Sequence, residues 1–259
     1  MRWTDSHCHL HDDRVDVTDA IAAAAKVGVT RLVTVGCDED TSRAAVRVAA
    51  VASQAGHDVW ATVGLHPHDA TDGLDWMDAL LADVAGDRVV AIGECGLDYF
   101  YEHSPRDVQR EMFAAQIRVA HRLDLPLVIH TRDAWDDTFA VLQSEGTPKT
   151  TVFHCFSGGP VEAVRCLELH DGVYLSYSGI ITFKTADDLR TAAAITPSGR
   201  LLIETDTPYL APVPHRGKRN QPAFVPLVGA TVAAVRGVAV DAVAASTWDA
   251  TADAFRLPC

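Results

Sequence analysis

The stretch Val89-Val90-Ala91-Ile92-Gly93-Glu94 is a short apolar run that ends in an acid. Its side chains stay apolar at successive positions, without the alternation of a half-exposed strand, so it reads as a strand covered on both faces. Residues 31–36 and 200–206 share that character. Strands of this kind belong to parallel sheets, whose neighbours are joined by crossover helices. Working outward from 89–94, the same pairing of a short apolar run with a longer amphipathic one recurs along the chain. Strands are expected at 4–10, 31–36, 59–68, 89–94, 125–130, 150–154, 173–177 and 200–206. Helices are expected at 16–27, 41–55, 74–84, 105–123, 134–143, 161–169 and 186–195, with closing helices at 225–236 and 241–255. Eight strands alternating with helices in 259 residues predict an α/β fold, the (β/α)8 TIM barrel. No linker, internal repeat or low-complexity tract divides the chain, so one barrel domain over residues 1–259 is expected. No G-x-G-x-x-G follows the first strand, which argues against an open dinucleotide-binding sheet.

Hydrophobic residues make up 48% of the chain, enough for a sizeable core, and the formal net charge is −13. An acidic chain has no overall attraction to nucleic acid, so a polyanionic substrate would need a local positive field from bound metal or clustered arginine. Lysine occurs only at Lys26, Lys149, Lys184 and Lys218. The cysteines at 8, 37, 95, 155, 166 and 259 form no Cys-x-x-Cys, which predicts free thiols in a reducing compartment. Met1-Arg2-Trp3-Thr4-Asp5 lacks the apolar stretch of a signal peptide. No apolar run approaches the roughly 18 to 20 residues of a membrane span. These features predict a cytoplasmic protein that does not engage a membrane.

In a (β/α)8 barrel the chemistry sits at the C-terminal ends of the strands. Thr4-Asp5-Ser6-His7-Cys8-His9-Leu10 places His7 and His9, with Asp5, on one face of the first strand. The other strand ends carry His66, Glu94, His130, His154 and the pair Glu204 and Asp206. So many imidazoles and carboxylates at equivalent strand ends point to divalent metal. Two ions about 3.5–4 Å apart, sharing a bridging carboxylate, suit this number of ligands. His7, His9, Glu94 and Asp206 are assigned to one ion. Glu94, His130 and His154 are assigned to the other, with Glu94 as the bridge. Water between the ions would be acidified to a metal-bound hydroxide, with Asp206 orienting it and accepting its proton. Glu94 and Asp206 are thus the expected catalytic residues, and Glu204 is expected to hydrogen-bond a ligand histidine. No strand ends in lysine, so a carbamylated lysine is not the bridge. Cys8, Cys95 and Cys155 each follow a candidate ligand and are expected to face away from it.

Taken together, these motifs resemble the TatD family of metal-dependent deoxyribonucleases. The resemblance is carried by Asp5-Ser6-His7-Cys8-His9-Leu10, Val63-Gly64-Leu65-His66-Pro67-His68 and Gly93-Glu94-Cys95-Gly96-Leu97-Asp98-Tyr99. It continues through Val128-Ile129-His130-Thr131-Arg132, Phe153-His154-Cys155-Phe156-Ser157-Gly158 and Ser178-Gly179-Ile180-Ile181-Thr182-Phe183-Lys184. Glu204-Thr205-Asp206-Thr207-Pro208-Tyr209-Leu210 and Arg216-Gly217-Lys218-Arg219-Asn220 complete it, so the match runs from residue 5 to about 226 in order. The resemblance implies a (β/α)8 barrel with two divalent ions held by His7, His9, Glu94, His130, His154 and Asp206. It also implies hydrolysis of phosphodiester bonds in DNA, with magnesium as the assay metal. Gln221 stands where the family commonly has an acidic residue, and Thr185 where asparagine is expected; neither is a proposed ligand.

The expectation is therefore an exonuclease acting on single-stranded DNA ends, with Mg²⁺, Mn²⁺ or Zn²⁺ as cofactor and no obligatory protein partner. His66, Arg132 and Lys184, with the 216–219 segment, are candidates for contact with the substrate phosphate. Tyr99, Phe100 and Tyr101 offer stacking surfaces for a base. The competing reading is an amidohydrolase-like enzyme cleaving an amide, ester or lactone bond with the same two ions. A non-catalytic scaffold would have lost at least one ligand, and none is lost.

Overall fold

A computed structural model describes residues 1–84 and 88–258. Its single sheet has eight strands in sequence order. These are β1 Trp3–Cys8, β2 Val29–Val35, β3 Asp58–Val63, β4 Val89–Asp98, β5 Leu127–Arg132, β6 Thr151–Phe153, β7 Val173–Tyr177 and β8 Leu201–Ile203. Each strand pairs in parallel with the next. The ring closes between β8 and β1 through Asp206 N–H to His7 O at 2.9 Å and His9 N–H to Thr207 O at 2.8 Å. The closing bonds thus fall on the residues expected to hold metal. The helices are α1 Val17–Lys26, α2 Glu39–Gln54, α3 Met77–Asp83, α4 Arg106–Leu123, α5 Trp135–Glu145, α6 Pro160–Leu169, α7 Asp187–Ile195, α8 Val225–Arg236 and α9 Val240–Phe255. The eight-stranded α/β barrel read from the sequence is the fold.

Local chemistry sets several of the boundaries. Asp16 caps α1 by accepting from Asp19 N–H, and Asp38 caps α2 in a reciprocal arrangement with Thr41. Strand alternation sorts the core into two layers. Ile129 and Phe153 join the cluster packed under the helices. Val33, Val128, Val152 and Leu202 join a second cluster that includes Phe255 and Leu257 near the C-terminus. Val128 and Val152 each lie two residues before a histidine, so the face that carries them carries His130 and His154 one step further along.

β4 is longer than the run that predicted it, continuing past Glu94 to Asp98. Gly93 and Gly96 allow this, with φ of +130° and +132°. A Cβ on Gly93 would stand 2.4 Å from Val128 O, so only glycine lets β4 run this close to β5. β6 and β8 are shorter than expected: His154, Glu204 and Asp206 lie just beyond regular strand. Among the described residues, no single helix is long and apolar enough to cross a membrane. Cys8, Cys37, Cys95, Cys155 and Cys166 are free thiols, and Cys259 lies outside the described residues.

Candidate active site

A cavity of about 640 Å³ opens at the C-terminal ends of the strands, lined by His9, His66, Glu94, His130, His154 and Asp206 among others. Glu94 is at its centre, and its carboxylate is forked between two groups of histidines. Oε2 lies 3.3 Å from His7 Nε2 and 4.0 Å from His9 Nε2. Oε1 lies 2.7 Å from His154 Nε2 and 3.0 Å from His130 Nδ1. Asp206 completes the first group, with Oδ1 at 3.2 Å from His9 Nε2 and 3.8 Å from His7 Nε2. The six expected ligands therefore converge, split by the two oxygens of one carboxylate.

Outer carboxylates decide which ring nitrogens are free. His154 Nδ1 is 3.2 Å from Glu204 Oε1, so its N–H points outward and leaves the Nε2 lone pair toward Glu94. Glu204 is itself held by Cys155 N–H at 2.8 Å and by the Ser176 hydroxyl at 2.5 Å. His130 Nε2 is 3.2 Å from Asp98 Oδ2, which leaves Nδ1 toward Glu94. Asp98 also takes the His68 ring at 3.1 Å and the backbone N–H groups of Phe100 and Tyr101 at 2.9 Å. His66 is different. Its Nδ1 accepts the His68 backbone N–H at 3.1 Å, so the neutral ring carries its proton on Nε2, 3.4 Å from Glu94 Oε1. His66 is a hydrogen-bond donor facing the cavity.

The donor set fits divalent cations. Glu94, Asp98, Glu204 and Asp206 are all buried, and neither lysine nor arginine makes an ion pair with any of them among the described residues. Burying such a set without a cation is costly. His7 is 1% exposed, yet among the described residues neither of its ring nitrogens has a hydrogen-bond partner; Nε2 is close to Glu94 and Asp206 but not aligned with them. The electrostatics tell the same story. Burial opposes a charged imidazole at His154, but Glu94 and Glu204 on its two sides hold it well above the ordinary histidine range. Burial raises the Glu94 carboxyl, and His154, His66 and His130 overcome this and hold it well below the carboxylate range. Four buried carboxylates with no lysine or arginine paired to them among the described residues favour positive charge in this pocket.

Buried polar side chains outside the barrel position this layer. Gln116, on α4, clasps the Leu65 peptide, accepting from its N–H at 2.8 Å and donating to its C=O at 3.0 Å, directly before His66. Gln109, about two turns earlier on the same face of α4, accepts from Asp98 N–H at 2.8 Å and donates to its C=O at 3.1 Å. Asp5 does not reach the cavity: it accepts from Thr205 N–H at 2.8 Å and from the Thr205 hydroxyl at 2.5 Å. Burial pushes its carboxyl up to about 8 despite those hydrogen bonds. Asn220 donates to Thr205 O at 2.7 Å and Tyr209 O at 2.6 Å, bracketing Asp206, whose φ is +61°. Asp98, Gln109, Gln116 and Asn220 were not among the residues singled out from sequence.

One expectation about side chains needs correction, and the candidates for substrate contact divide between the cavity wall and the surface. Cys155 lines the cavity instead of facing away, because β6 stops at Phe153 and the chain turns through φ +40° at Cys155. Lys184 is exposed and is not a cavity residue, since the turn after β7 carries it outward past Phe183. In the 216–219 segment, Arg216 packs over Phe183 at 4.3 Å and Arg219 donates to Arg14 O, so neither reaches the cavity. Arg132 does line it, stacked over Phe100 at 3.9 Å and Tyr101 at 4.9 Å. Tyr99 instead donates its hydroxyl to Asp137 at 2.6 Å, away from the cavity lining. Gln221 and Thr185 are likewise off the cavity wall.

The outer carboxylates carry a direct prediction. Asp98→Asn removes the charge that orients His130, and metal affinity at the His130–His154 side should fall about 10- to 100-fold. A metal-binding titration checks this, and Glu204→Gln should act the same way through His154.

The model of the TatD-related DNase family matches residues 4–256. The metal-dependent hydrolase YcfH of Escherichia coli K12 is 40% identical over 263 aligned residues, covering 99% of this chain and 97% of YcfH. The 3'-5' ssDNA/RNA exonuclease TatD of Klebsiella pneumoniae is 35% identical, covering 86% of this chain and 85% of its own. The crystal structure of YjjV, a TatD homologue from Escherichia coli K12, superimposes with a TM-score of 0.89 at 29% identity, covering 99% of each chain. With the family model spanning nearly the whole chain and relatives 40% and 35% identical to it, the chain belongs to the TatD family of metal-dependent hydrolases.

Proposed function

We propose that this protein is a deoxyribonuclease that hydrolyses phosphodiester bonds at the ends of single-stranded DNA. The observation that supports the reading most is the Glu94 carboxylate, with one oxygen turned to His7 and His9 and the other to His130 and His154. His7, His9, Glu94 and Asp206 would hold one divalent ion, and Glu94, His130 and His154 the second, as Mg²⁺, Mn²⁺ or Zn²⁺. Four histidine ligands favour a first-row transition ion over magnesium. Bound ions at such a centre supply Lewis acidity to the attacking water and to the phosphate oxygens.

The chain's own groups then divide the work. Asp206 is the catalytic carboxylate, with its side chain 13% exposed to the cavity, and it takes the proton of the attacking water. His66 donates its Nε2 proton in a hydrogen bond to the phosphate or to the departing oxygen. Arg132, on the cavity wall, pairs with a phosphate oxygen and offsets the acidic total of the chain. Asp98 and Glu204 hold the ligand imidazoles in the tautomers that leave their lone pairs inward.

The test uses chelator-stripped protein reloaded with Mg²⁺ or Mn²⁺ and an end-labelled single strand. Stepwise loss of nucleotides from one end, dependent on metal and abolished in His130→Ala, is the expected result. An intact strand with metal demonstrably bound would overturn the nuclease reading and favour an amide, ester or lactone substrate for the same centre.

A further inference from the structure

Two exposed tyrosines stand at the rim of the cavity. Tyr101 is 53% exposed and Tyr209 47% exposed, and both line the cavity. Tyr101 follows β4 and Tyr209 follows β8. Strands four apart in an eight-stranded ring are diametrically opposed, so the two tyrosines stand on opposite sides of the cavity. Tyr101 belongs to the His130 side, with its ring 5.5 Å from that of His68, which shares Asp98 with His130. Tyr209 belongs to the opposite side, with its ring 6.0 Å from that of His9.

Each tyrosine is held by an arginine. Arg132 lies over Tyr101 at 4.9 Å and over Phe100 at 3.9 Å. Arg14 lies over Tyr209 at 4.6 Å, and is itself fixed by two hydrogen bonds to Asp12 at 2.8 and 2.7 Å. Exposed aromatic rings backed by guanidinium groups are what single-stranded nucleic acid uses for base stacking and backbone charge. Both rings remain about half exposed despite these contacts. They are not needed to hold metal, and a small amide or lactone substrate would leave both of them unused.

Building on the nuclease reading, we propose that Tyr101 and Tyr209 are paired stacking subsites that hold the two bases flanking the scissile phosphate. The phosphate then lies over Glu94, with one nucleotide directed to each rim. The substrate class that follows is a single strand with an unpaired base on both sides of the bond cut. A duplex end presents a stacked, paired base and fits only after fraying.

The test compares an intact single-stranded oligonucleotide with strands abasic at the terminal or at the penultimate nucleotide of the digested end. Base–aromatic stacking removed by alanine should raise KM about ten- to hundred-fold for each of Tyr101→Ala and Tyr209→Ala on the intact strand, and the effect on KM should exceed that on kcat. Tyr→Phe at either site, which keeps the ring, should restore KM to near the wild-type value. Each abasic position should erase the sensitivity to one tyrosine and preserve it for the other. Hydrolysis of intact strands with KM unchanged in both alanine variants, or equal sensitivity on abasic and intact strands, overturns the stacking subsites and leaves the nuclease reading in place. Failure of the wild-type enzyme to cut any strand with metal bound overturns both.

Discussion

Glu94→Ala is expected to remove bound metal and hydrolysis together. Among the described residues no other carboxylate pairs with both histidine groups: the alanine variant leaves His7 and His9 on one side and His130 and His154 on the other with no carboxylate between them. Loss of an outer-shell partner costs about 10- to 100-fold in metal affinity, and loss of a bridging ligand should exceed that at both positions. Metal content and turnover, measured on one preparation, check this. Circular dichroism should show the barrel intact, since β4 is held by backbone pairing to β3 and β5. Glu94→Gln is the informative partner: one carbonyl oxygen remains, and weakened binding on one side only is expected. Full metal-dependent turnover in Glu94→Ala would show that the bridge has been assigned to the wrong residue.

Asp206→Asn should separate chemistry from binding. Asparagine keeps an oxygen beside His9 and His7 and loses the basic carboxylate. General base catalysis contributes about 10²- to 10⁴-fold, so kcat should fall within that range while KM changes little. Hydrogen bonds at Asp206 N–H and at the Thr205 and Tyr209 carbonyls keep the segment in place, so the loss in rate is expected without a collapse of local structure. Steady-state kinetics at saturating metal distinguish the two roles. A KM rise with kcat unchanged would remove Asp206 from the proton transfer and leave it as a ligand alone.

The barrel was legible because buried strands write a local pattern. Val128 and Val152 predict the inward face, and His130 and His154 follow on that face at the strand ends. The same logic failed where strands end or bend. Cys155 lies beyond the last residue of β6, so counting in twos no longer applies, and the side chain turns toward the cavity. Asp98 was passed over as a site residue because the strand was expected to end at Glu94, before Gly96. The unusual φ values of Gly93 and Gly96 instead let β4 carry on and deliver a second carboxylate to His130.

The supporting layer was harder to read. Gln109 and Gln116 share the buried face of α4 with Phe113 and Ile117. Polar residues on an otherwise apolar helical face were the available signal, but only the fold shows that each clasps a strand-exit peptide. Asp5 shared the strand face of His7 and His9, yet its partner is Thr205, reached only when the ring closes. Long-range pairing of this kind leaves no trace in local spacing. The rim tyrosines are a further case: position 209 has no aromatic neighbour in sequence, and its opposition to Tyr101 exists only in the closed ring.

The central claim is that one carboxylate joins two metal positions. Electron paramagnetic resonance of the apoprotein titrated with Mn²⁺ tests it most directly. Two ions about 3.5–4 Å apart and bridged by Glu94 should bind per chain and give a spin-coupled spectrum, which disappears in Glu94→Ala. A single ion per chain at saturation, or two ions with uncoupled signals that survive Glu94→Ala, would contradict the bridge.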